Sequence, residues 1–161
     1  MVGGIAAPMN NLTKRRFHNR IFNPISTMKR IYDSDFLSIT YDDATDLIEC
    51  RWQNSDNMTE DEFRQEMLNY NTVIEEHRPK RMLVHNLYFT ITPDLQEWIN
   101  ETVDPVRREV GLTKSAYIVS ENIISNISVE QFADDSNELS AGSLENRMFN
   151  DRDEATAWLL S

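Results

Sequence analysis

One cysteine, Cys50, stands among the 161 residues of the chain. A lone thiol excludes an internal disulfide and any multi-cysteine metal site, and it fits a reducing, cytoplasmic setting. Histidine is scarce as well. His18, His77 and His85 are scattered, with no metal-ligand spacing. The oxygen-ligand spacing of a calcium loop is missing too. No apolar run approaches the roughly 20 residues that a membrane-spanning helix needs. The apolar residues Val2, Ile5, Ala6 and Ala7 precede the first charges, the reverse of a secretory signal. There is no nucleophile elbow, no Gly-rich turn and no internal repeat. Residues 1–30 contain no acid at all, only Lys14, Arg15, Arg16, Arg20, Lys29 and Arg30.

That last absence divides the chain. Net charge is −11 overall, so the remainder, with 10 basic against 27 acidic residues, carries −17. An acidic body repels nucleic acid and anionic membrane over long range, which argues against nucleic-acid binding by the body. The basic residues at the front could serve as an arm for membrane, RNA or an acidic partner. Residues 1–27 show no periodicity and hold Gly3, Gly4, Pro8 and Pro24. They read as a basic, disordered tail. The body is expected over 28–161, with Met28 as a candidate natural start. At this length one domain with its own core is the default.

The body alternates strand and helix signals. Phe36–Tyr41 alternates with period two, Asp42–Thr45 is turn chemistry, and Asp46–Trp52 is a second run, so the pair predicts a hairpin. Thr59 with Glu62 is a capping box, Phe63, Met67, Tyr70 and Ile74 form an apolar stripe, and Pro79 stops that helix. Arg81–Leu87 is a short apolar run between breakers, the pattern of a buried strand. Thr92 and Pro93 open a further helix. Pro105 should kink or divide it, and Gly111 ends it. Ser115–Ser120 is another buried strand. Ile123, Ile124, Ile127 and Phe132 mark a helical segment re-capped at Ser128, and residues 134–145 are a polar loop. A closing strand at Arg147–Phe149 runs into a helix capped by Asp151, with Ala155, Trp158 and Leu159 on one face. The expected fold class is α/β, a single mixed sheet of about five strands in the order β-β-α-β-α-β-α-β-α.

Four stretches carry a resemblance: Phe89–Ile99, Lys114–Ser120, Arg147–Asp151 and Glu154–Leu159. With that element order, the region from Met28 onward resembles the STAS fold of anti-sigma-factor antagonists, and within it the small bacterial SpoIIAA-like proteins of unassigned role. The resemblance implies a regulatory module that works by binding and not by catalysis. In the family's phosphoswitch branch, an Asp-Leu pair ends the strand after the first helix, and a serine in an Asp-Ser-Ser-Gly-like turn is phosphorylated. Here Asn86 stands at that aspartate, no such turn follows, and the nearest hydroxyls are Thr90 and Thr92. Other relatives, in the manner of CRAL-TRIO domains, are linked to apolar ligands, which implies a lipid carrier as the alternative.

Candidate site residues follow from these patterns. Asn86, Tyr88, Phe89, Thr90 and Thr92 lie where a buried strand gives way to a helix N-terminus, the edge at which open sheets bind. They are the expected surface for an unknown protein partner or a small apolar ligand, with residues 121–128 beside them. A helix cap alone accounts for Thr92. Trp52, Trp98 and Trp158 are expected in the core, with an apolar ligand pocket or a dimer face as the other uses of such residues. His85 would serve as a base only with an orienting carboxylate and a nucleophile nearby. Cys50 is expected to be buried and inert, with Glu49 and Arg51 on the opposite face. Asp42-Asp43 and Asp134-Asp135 read as solvated turns. No catalytic residue, metal site or cofactor is assigned.

Overall fold

The computed structural model describes residues 28–85, 88–120 and 144–161. It is an α/β fold built on one mixed sheet of six strands in sequential order. The tail at 1–27, Asn86, the segment 121–128 and its continuation to Phe132, and Asp134-Asp135 lie outside the described residues.

The strands are β1 (Met28–Asp33), β2 (Leu37–Asp42), β3 (Leu47–Trp52), β4 (Arg81–His85), β5 (Lys114–Ile118) and β6 (Glu145–Phe149). The helices are α1 (Glu60–His77), α2 (Pro93–Thr102), α3 (Asp104–Val110) and α4 (Arg152–Leu160). The first three strands pair antiparallel, and β3 to β6 run parallel.

The expected count of five strands is corrected to six by β1. Its register slips between Arg30 and Tyr32, so period-two alternation never develops in its sequence. Side chains anchor it instead. The Tyr32 hydroxyl donates to Glu66 of α1 at 2.7 Å, and Ser34 Oγ donates to the same carboxylate at 2.7 Å.

Local chemistry sets the helix ends. The Thr59–Glu62 capping box is complete, and Arg78 leaves α1 in the left-handed region at φ 50°. The Thr92 side chain accepts from Leu95 N at the start of α2. The helical stretch divides at Val103, just before Pro105, into α2 and α3, and Gly111 ends α3 at φ 88°.

Sequential order with crossovers of one hand places α1, α2 and α3 on one face of the sheet. Phe63, Met67, Tyr70, Ile74, Leu95, Ile99 and Val110 pack there against Leu37, Ile39, Ile48, Cys50, Met82 and Val84. The other face carries a smaller cluster, in which Ala155 and Leu159 of α4 meet Leu47, Leu83 and Ala116. α4 lies over β4, β5 and β6. Arg81 Nε donates to Leu159 O at 2.8 Å, and Lys114 Nζ donates to Trp158 O at 3.0 Å, which pins the helix's far end. Trp52 is buried as expected. Trp98 and Trp158 are corrected to half-buried, with Arg64 over the first ring, and Lys114 and Arg147 over the second.

Candidate functional site at the carboxyl ends of the parallel strands

The segment Tyr88–Thr92 leaves the carboxyl end of β4 and enters α2. Tyr88 N donates to Ser55 Oγ at 3.0 Å, and Phe89 stacks on Phe63 with centroids 4.9 Å apart and planes 7° apart. Phe63 in turn stacks on Trp52 at 5.6 Å. Phe89 is therefore packed against the core. Tyr88 is 50% exposed, and Thr90 and Thr92 are exposed beside it. Thr92 Oγ1 accepts from Leu95 N at 3.3 Å, so its hydroxyl serves the helix cap.

A second group of residues escaped the sequence reading. Strand alternation turns Leu47, Glu49 and Arg51 of β3 toward the α4 face, with Leu83 and His85 of β4 beside them. Glu49 is only 2% exposed. The parallel register sets Glu49 opposite Leu83 and Arg51 opposite His85, which brings the His85 ring diagonally onto Glu49. The result is a 2.7 Å bond from His85 Nε2 to Glu49 Oε1. Arg51 Nη2 donates to the same oxygen at 2.7 Å. Arg152, the first residue of α4, reaches down with Nη2 at 3.0 Å from Oε2 and with Nε at 3.3 Å from Oε1.

Burial works to raise the Glu49 pKa. The bonds from His85 and Arg152, with the Arg152 charge, outweigh it and hold the carboxyl down at about 2. Glu49 is thus an acceptor, and His85 Nε2 carries the hydrogen. Arg152 is raised for the reciprocal reason, its bond to Glu49.

His85 thus has the orienting carboxylate that a base would need. Cys50, the nucleophile considered with it, lies on the other face, where burial pushes its thiol up to about 12. The flanking placement of Glu49 and Arg51 opposite Cys50 is as the alternation predicts. His77 instead closes α1, with Nδ1 3.0 Å from Val73 O. Asp42 caps its own turn, bonding Ala44 N at 3.0 Å. Among the described residues no cluster of three or more His, Cys, Asp or Glu side chains is arranged to hold a metal ion. No helix there is long and apolar enough to cross a membrane.

The α1–α3 face has its own charged group. Arg107, 5% exposed, donates Nη1 to Asp104 at 3.0 Å and Nε to the Tyr70 hydroxyl at 3.3 Å. Burial opposes its charge, but Tyr70, Tyr117 and Asp104 raise its pKa. One cation meets one anion in a closed setting.

Only the Glu49–Arg51 pair at i, i+2 within an apolar strand run hints at the cluster in the sequence. Its other partners come from another strand and from a helix 103 residues away. Comparison of the chain with protein-family models, curated proteins and solved structures finds no match.

Proposed function

We propose that the region from Met28 onward is a STAS-like, SpoIIAA-like binding module that acts without catalysis. Its contact surface is the Tyr88–Thr92 segment together with the preceding Asn86. The observation that carries this reading is Tyr88, a large aromatic side chain that is 50% exposed while its own amide and its following neighbour are held. Ser55 holds its amide, and the next residue is stacked into the core. Exposed aromatics on rigid backbone lose little entropy on binding and dominate interface energetics. The parallel strands joined through helices after an antiparallel opening are compatible with the family reading, with one more opening strand than the resemblance implies.

The test is site-specific photocrosslinking in the native host, with a photoreactive phenylalanine at position 88 and, as control, at Leu68. Leu68 is 43% exposed on α1. A discrete protein adduct at 88 and none at 68 is the expected result. Equal or absent adducts at both positions would count against the surface. A native mass spectrum that instead shows a small lipid-sized adduct would favour the carrier alternative.

A further inference from the structure

Neutralising one buried carboxylate takes one cation. Glu49 has two permanent ones, and both belong to arginines that stay half in solvent. The Arg51 side chain is 51% exposed and that of Arg152 is 47% exposed, while Glu49 is 3%. Among the described residues neither arginine forms an ion pair with any other acid. Asp153 acts on Arg152 only at longer range. The cluster therefore holds a positive surplus in a chain of net charge −11.

The spare donors are placed as well as counted. A guanidinium carries five N–H donors in a fixed fork. Arg51 spends Nη2 on Glu49, and Arg152 spends Nε and Nη2. Arg51 Nε and Nη1, and Arg152 Nη1, make no hydrogen bond among the described residues. One carboxylate anchors both forks, so their separation is set by its two oxygens. Opposite them in the antiparallel register stand two hydroxyl residues, Ser38 facing Arg51 and Thr40 facing Glu49. Alternation puts both on the Glu49 face, because Leu37, Ile39 and Tyr41 occupy the other. Among the described residues α4 lies mainly over β4 to β6, and Ser38 and Thr40 on β2 are half-buried.

We infer that Arg51 and Arg152, with Ser38 and Thr40, form a receptor for a small oxyanion of the phosphate class, and that Glu49 is the positioning residue that holds both arginines ready. A phosphate dianion offers enough oxygens to engage two guanidinium forks and two hydroxyls at once, and its charge answers the surplus. A carboxylate has only two oxygens to share among the same donors. The site lies on the opposite face of the sheet from Phe89 and does not depend on the reading of Tyr88.

The test is a titration of the full chain, followed by the arginine Nε–Hε resonances in NMR, first with inorganic phosphate and then with phenyl phosphate. Saturable shifts of Arg51 and Arg152, with a dissociation constant of about a millimolar or tighter, are expected. Arg51→Gln should weaken binding about tenfold, and adding Arg152→Gln should abolish it. Arg147→Gln, whose guanidinium lies over the Trp158 ring and not on Glu49, should change nothing. Loss of α4 does not confound the result, because Arg51 lies on a strand and Arg81 and Lys114 still hold the helix. Tighter binding of phenyl phosphate would assign the site to a phosphorylated ligand, and tighter binding of inorganic phosphate to the free ion. Non-saturating shifts, or shifts that survive the double variant, would overturn the proposal.

Discussion

The two faces of the sheet handle buried charge differently. On the α1–α3 face, Arg107 and Asp104 are both buried, match one to one, and are roofed by helices. On the α4 face, one buried carboxylate meets two half-exposed arginines and a histidine. The first arrangement is self-contained, and every charge in it serves the fold. The second spends more cation than the fold requires, at a place where solvent reaches. A matched buried pair marks architecture, whereas a mismatched, half-open one marks a surface that awaits a further group.

The sharpest way to break this contrast is Asp104→Ala. It strands the Arg107 charge in a closed core and should cost about 3–5 kcal/mol in urea unfolding. A loss no larger than that of Glu49→Gln would mean that the two faces are equivalent after all.

Glu49→Gln should cost less, about 2 kcal/mol, because its arginines can turn to water. Its effect should also depend on pH. The folded carboxyl titrates at about 2 against an ordinary 4.5, so its stabilisation is complete above about pH 4.5 and is lost as pH falls through about 2. The melting-temperature gap between wild type and Glu49→Gln should therefore close across that window. A gap that stays constant would show that the carboxylate's charge is not what matters.

Arg81→Gln is the smallest effect, about 1 kcal/mol, since it removes bonds to Leu159 O and Thr45 O at a partly exposed position. Amide exchange should quicken at the end of α4 and not in α1. Uniform quickening would mean that the two faces unfold as one unit.

Much of the architecture was legible because its signals are local. A cap needs a side chain and an amide three residues apart, so Thr59, Thr92 and Asp151 could be read directly. Pro105 announced the break at Val103 in the same way. β1 was not legible, because its bulge erases alternation and its anchors lie on α1. The Glu49 cluster was less legible still. It depends on the register between two parallel strands, and no local pattern encodes register across a crossover. Tyr88 to Thr92 could be named as a surface because they follow a strand's carboxyl end. That Phe89 turns inward while Tyr88 stays outside is set by the stacking on Phe63, which no local pattern encodes.

The sequential strand order has a consequence for how the molecule is made. Each new strand emerging from the ribosome can join the open edge left by its predecessor, and none has to be threaded between strands already paired. The sheet can thus grow during synthesis, in the order of translation. The arginine that completes the Glu49 cluster arrives 103 residues after the carboxylate it grips. Until then His85 and Arg51 are the only partners at hand from β3 and β4. The nascent chain therefore holds Glu49 with only part of its cation set, and the arrival of α4 both clasps the second face and completes that set.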